Sequence, residues 1–157
     1  MSKAFTREDD DAPEIVQVRP RPPLPEGVPN YVTPRGGRLL REEHDLLTTA
    51  VQRATGEGRQ AALARLSELE GRLDITEVVE PPLRTLAARL GSRVTYESER
   101  TRRRTVTLVG VDEADPDEER IAWTSPLGRA LTGVSAGDVV SLRTPRGEEE
   151  IEILELA

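Results

Sequence analysis

Apolar side chains recur at Leu39, Leu40, Leu46, Leu47, Ala50, Val51 and Ala54. Spacings of three and four place them on one face of a helix, not on the alternating faces of a strand. Thr33 can cap that helix and Pro34 suits its first position. The pattern breaks at Thr55-Gly56-Glu57-Gly58 and resumes with Ala62, Leu66, Leu69 and Leu73. Two amphipathic helices joined by so short a connection must lie antiparallel, each burying its stripe against the other. The first, of about 20 residues, extends roughly 30 Å.

From Ile75 the period changes. Thr76–Val79 reads as a short strand interrupted by Pro81-Pro82, and Leu83, Leu86, Ala87 and Leu90 suggest one or two helical turns ending at Gly91. Short alternating or β-branched runs follow at Arg93–Glu97, Thr105–Val109, Arg120–Thr124, Asp138–Arg143 and Glu148–Leu156, each of strand length. The last two flank Thr144-Pro-Arg-Gly147, a turn sequence. Between the third and fourth runs, Ser125 is a cap, Pro126 a first helical position and Gly133 a terminator. The pattern therefore predicts an α+β chain. An antiparallel helical hairpin, a short coiled coil, occupies residues 30–74, and a small antiparallel sheet with one short helix occupies residues 75–157. Residues 1–29 are polar and Pro-rich, too poor in apolar surface to order themselves, and read as a tail.

Composition narrows the chemistry. The 157-residue chain has no Cys, one His and one Lys, Lys3. Disulfides, zinc–thiolate sites and thiol catalysis are excluded. A phosphate-binding loop needs a lysine that the folded part lacks. His44 falls in the first helix among Leu and charged residues, where a solvated role outweighs a catalytic one. No apolar run approaches the roughly 20 residues needed to cross a bilayer, and the charged N-terminus lacks a secretory apolar segment, so no membrane partner and cytoplasmic residence are expected. A formal net charge of -7 opposes tight binding to free nucleic acid.

Four motifs invite a functional reading. Asp112-Glu-Ala-Asp115 spells a helicase signature, but without a phosphate-binding loop it is a coincidence within a loop. Glu148 and Glu150 share a strand face and read as a solvated strand end, not a metal site. Arg100, Arg102, Arg103 and Arg104 form the densest basic cluster, either a hairpin turn or a candidate patch for nucleic acid or another protein. The hairpin tip, Gly56-Glu57-Gly58, carries one acid. No catalytic, metal or cofactor site is expected.

Val106-Thr-Leu-Val-Gly-Val-Asp-Glu-Ala-Asp-Pro116, Trp123-Thr-Ser-Pro-Leu-Gly-Arg-Ala-Leu131 and Gly137-Asp-Val139 together resemble the C-terminal domain of the Gre transcript-cleavage factors. Asn30-Tyr-Val-Thr-Pro-Arg-Gly36 matches more moderately, and the helix arm least. The resemblance implies an FKBP-like domain that docks at the rim of the RNA polymerase secondary channel, with nucleic acid met only through the elongation complex. Carried across position by position, the docking segment is Trp123, Thr124, Ser125, Pro126, Leu127 and Arg129. Family members deliver several acids from a long arm to a magnesium ion in the polymerase. Here Glu57 stands alone on a shorter arm, similar to that of Rnk-like regulators, which implies a polymerase-binding regulator without the cleavage chemistry. The alternative implied is weak cleavage stimulation using Glu57. An FKBP-like fold also raises prolyl isomerisation, which the 3% aromatic content speaks against.

Overall fold

The computed structural model describes residues 21–157; the first 20 residues of the expected tail lie outside the described residues. The chain opens with β1 (Asn30–Val32), α1 (Pro34–Arg53), α2 (Gly56–Asp74) and β2 (Thr76–Val78). Thr33 caps α1, its Oγ1 accepting from the Gly36 amide at 3.3 Å, with Pro34 in the first turn. The hairpin tip is tighter than the sequence predicts. Only Ala54 and Thr55 separate the helices, and Gly56, Glu57 and Gly58 form the first turn of α2. Gly56 takes φ +57°, a left-handed conformation that lets the chain reverse without a longer loop. Glu57 thus sits where a helix favours negative charge.

Only part of the predicted apolar stripe is used. Leu40 and Leu69 are buried with Val32, and Leu47 and Leu73 pack partly against them. Leu39, Leu63 and Leu46 are exposed, Leu46 at 72%. One neighbouring helix covers a single seam, narrower than the apolar band that the sequence supplies. At the arm's base β1 and β2 pair in parallel, Asn30 opposite Thr76 and Val32 opposite Val78. β1 is too short to show an alternating pattern, and the sequence does not announce it.

The sheet contains β3 (Arg93–Ser98), β4 (Arg104–Val109), β5 (Arg120–Ala122), β6 (Val139–Thr144) and β7 (Gly147–Leu156), in the order β5-β4-β3-β7-β6. All five strands lie within a few residues of their predicted positions. The sheet is mixed, however, not purely antiparallel: β5 runs parallel to β4. Two 3-10 turns, Val111–Glu113 and Pro116–Glu118, carry the chain back to the starting end of β4, as a parallel neighbour requires. A bulge between Thr95 and Tyr96 shifts the β3–β7 register. Helix α3 (Pro126–Leu131) covers one face. Its Leu131 joins Ala88, Val94, Tyr96, Val106, Leu108, Val134, Ile151 and Ile153 in the core.

The helical turns expected over Leu83–Leu90 are absent. Pro81 and Pro82 remove amide donors, and Ala88 uses its backbone elsewhere: its N–H donates to Val134 O at 2.7 Å and its C=O accepts from the Gly133 amide at 2.7 Å. Docking this segment against the exit of α3 replaces local helix formation, and leaves Leu83 and Leu86 almost fully exposed.

Candidate functional site

The start of α3 is built by its sequence. Ser125 Oγ accepts from the Gly128 amide at 3.0 Å and donates to Ala122 O at 2.7 Å, so one hydroxyl caps the helix and pins it to the end of β5. Gly128 is required by proximity: a Cβ there would lie 2.1 Å from Ala122 O. Beyond this corner the surface opens into a groove of about 400 Å³, floored by Ile121, Ala122, Leu127 and Leu142, with Arg120 and Arg143 at its edge.

The six residues of the predicted docking segment do not form one surface. Ser125, Pro126 and Leu127 line the groove, and Leu127 also packs on the sheet core. Arg129 is exposed, and Thr124 lies in the turn between β5 and α3. Trp123 points elsewhere. Its ring meets that of Tyr31 in β1 edge-on, with centroids 6.4 Å apart, and its indole N–H is buried without an acceptor among the described residues. A buried donor left unpaired is costly, so Trp123 is held by packing at the arm's base.

The basic cluster is partly neutralised. Arg104, at the start of β4, forks onto both carboxylate oxygens of Glu119 at 3.0 and 3.1 Å, and this hydrogen bond raises its pKa above the ordinary value. Arg103 lies 3.6 Å from Glu155. Arg100 reaches the backbone of Arg146 in the next hairpin turn, and Arg102 is exposed. Glu148 pairs with Arg143 at 3.4 Å, as a solvated strand end does. At the arm tip Glu57 is exposed. Among the described residues no three His, Asp or Glu side chains gather as a metal ion would need. His44 lies midway along the arm, its Nε2 3.6 Å from Glu70 of the facing helix.

The sequence gives no signal for the most heavily bonded polar site. Asp112 and Glu113, within the helicase-like string, are buried where the arm meets the sheet. Asp112 accepts from Asn30 Nδ2 at 2.9 Å and faces the guanidinium groups of Arg72 at 3.3 Å and Arg21 at 3.2 Å. Glu113 accepts from the Thr33 hydroxyl at 2.6 Å and the Thr33 amide at 2.8 Å, and also holds the Gly110 amide at 3.4 Å. Arg21 bonds Glu43 of α1 as well. Burial works to lower the Arg21 pKa, but its carboxylate partners outweigh burial and raise it. Residues 21–23, expected as tail, are thus held against the arm's base, where Arg72 also donates to Pro22 O at 2.6 Å. A tail poor in apolar groups can still order through charge-assisted bonds.

Residues 85–157 match the family described as transcription elongation factor GreA/GreB, C-terminal. The transcription elongation factor GreB of Neisseria meningitidis serogroup B is 34% identical over 149 positions, covering 80% of this chain and 91% of its own length. The transcription elongation factor GreA of Ruegeria pomeroyi is 35% identical, covering 74% of this chain and 75% of its own length. Among solved structures, GreA factor homolog 1 of Thermus thermophilus aligns with 81% of this chain and 97% of its own at 28% identity, with a TM-score of 0.40. That superposition is too loose to support any argument about arrangement. The extent and identity of the GreA and GreB matches are sufficient: the chain belongs to the GreA/GreB family of transcription elongation factors.

Proposed function

We propose that this protein binds RNA polymerase at the rim of the secondary channel and regulates elongation from the cytoplasm without stimulating transcript cleavage. The single observation behind the negative half is the arm tip, where Glu57, in the first turn of α2, is the only acid. Metal-assisted hydrolysis needs several oxygen ligands converging on the ion. One carboxylate at the start of α2 offers too few. A displacement along the arm is equally damaging, because misplacing a reacting group by about 1 Å can cost 10²-fold.

Two further observations support the reading. In the alignment with the Neisseria GreB, 80% of a 157-residue chain cannot fill 149 positions, so the relative carries residues that this chain lacks, consistent with a shortened arm. The groove beside Ser125, Pro126 and Leu127 has an apolar floor and arginines at its edge, suited to an apolar side chain flanked by acids. In this scheme the sheet region docks, the arm enters the channel partway and obstructs it, and nucleic acid is met only through the polymerase. The protein is not itself an enzyme and takes no cofactor.

The test is a backtracked elongation complex incubated with this protein alone. The expected outcome is RNA cleavage no faster than the polymerase's own, in wild type and in Glu57→Gln alike. Stimulation that disappears in Glu57→Gln would establish the opposite reading, a cleavage factor working through one tip carboxylate.

A further inference from the structure

We propose that Asp112 and Glu113 are positioning residues: two consecutive buried carboxylates on one turn of the sheet region that set the angle at which the arm leaves it. Each grips a different part of the arm's base. Asp112 takes Asn30 from β1 and Arg72 from the end of α2, while Glu113 takes the amide and hydroxyl of Thr33, the cap of α1. Both helices of the lever are therefore fastened to neighbouring residues of a single 3-10 turn. Charge-assisted bonds at a buried site are the strongest polar contacts a fold can make.

The backbone around the clamp is shaped for it. A Cβ at Gly36 would lie 2.2 Å from Glu113 Oε2, and one at Gly110 would lie 2.4 Å from Tyr31 O. Both glycines allow the arm base and the turn to approach more closely than side chains permit. Asn30 and Glu113 are buried, at 0% and 4% exposure, so neither exchanges its partner for solvent without local opening. The arm beyond the clamp contributes little of its own. Of its hydrophobic cluster only Val32, Leu40 and Leu69 are buried, and a lever so thinly packed takes its direction from its root. The parts involved, Asn30 and Thr33, Arg72, and Asp112 with Glu113, lie far apart along the chain and meet here.

The angle itself is independent of any partner; its consequence for elongation rests on the polymerase-binding function proposed above. Because the chain has no Cys, spin labels can be placed on Arg59→Cys near the arm tip and Glu150→Cys on the sheet, and their separation measured by pulsed electron resonance. Wild-type background should give one narrow distance distribution. Glu113→Gln, which removes the charge and leaves one acceptor oxygen where the Thr33 hydroxyl and the two amides now share two, should broaden it roughly twofold, with helix content unchanged. Asp112→Asn, a gentler change, should broaden it less. Ile153→Val, which loosens the sheet core alone, should leave the width unaltered despite a lower Tm. In direct binding to core polymerase, Glu113→Gln should keep its affinity within about twofold while losing roughly tenfold in arm-dependent obstruction, about 1.4 kcal/mol of coupling. A distribution that stays narrow in both carboxylate variants would overturn the clamp, whatever the polymerase result. A broadened one in a protein that never binds polymerase would keep the clamp and refute the proposed function.

Discussion

The sheet and the arm are held by different means. The sheet buries nine residues in one cluster, with Ile121, Leu127, Val140, Leu142 and Leu156 packed around it. The cluster at the arm has three, Val32, Leu40 and Leu69, and Leu46, well along α1, is 72% exposed. Hydrophobic stabilisation scales with apolar area removed from water, so the sheet is stabilised by its own core. The helix pair depends on its base, where carboxylates of the sheet region bond to its cap and its end. The lesson concerns division of labour. For the docking role proposed above, the mixed sheet with α3 offers a rigid platform. The channel entry proposed above would need reach and direction, which a slender hairpin rooted in polar contacts offers with few buried residues.

The largest test of this contrast is a matched pair of truncations. Leu108→Ala, in the middle of the sheet core, should cost about 2–5 kcal/mol, the range for buried Leu in a packed interior. Leu40→Ala should cost less, because the thin arm can collapse around the gap. Urea unfolding followed by far-UV dichroism and by Trp123 fluorescence checks both, and equal losses would erase the distinction. A smaller effect is expected at the corner where β5 meets α3. Ser125→Ala removes the cap of α3 and should cost about 1 kcal/mol. It should also weaken polymerase binding, whereas an equivalent loss in the arm should not.

A third test uses pH. Burial raises the Tyr96 pKa, so the folded state keeps its phenol neutral after the unfolded chain has begun to ionise. That contribution is fully present below the ordinary tyrosine value and is lost as pH rises through it towards the folded value. Alkaline titration of Tm should therefore show a decline that Tyr96→Phe reduces. An identical decline in the variant would remove Tyr96 from the account. The smallest effect is expected at Leu46→Gln, within about 0.5 kcal/mol of wild type, as for other exposed positions; a large loss would mean that the outer face of the arm is covered.

Much of this architecture is legible in the sequence wherever the period is long or the chemistry is local. The 3.6-residue spacing places α1 and α2, the cap residues Thr33 and Ser125 sit at the N-termini that their side chains imply, and the five strands follow the alternating runs. What escaped depends on contacts between distant segments. The Leu83–Leu90 stretch has helical spacing, but its backbone bonds to Gly133 and Val134, which no local pattern encodes. The parallel pairing of β5 with β4 follows from a crossover made of irregular turns. Asp112 and Glu113 read as loop acids because nothing local says that Asn30, Thr33 and Arg72 converge on them. The family resemblance groups Trp123 with its sequence neighbours, and the fold turns it towards Tyr31. Of the tip, the sequence carried what matters chemically, one acid, but not that Glu57 would begin a helix.

The central claim, docking without chemistry, is tested most directly by competition on a backtracked elongation complex. An authentic cleavage factor is held fixed, this protein is titrated, and RNA cleavage is followed. Inhibition that saturates, and that Ser125→Ala weakens, is the predicted result. Absence of inhibition at concentrations well above those of the cleavage factor, or faster cleavage, would contradict it.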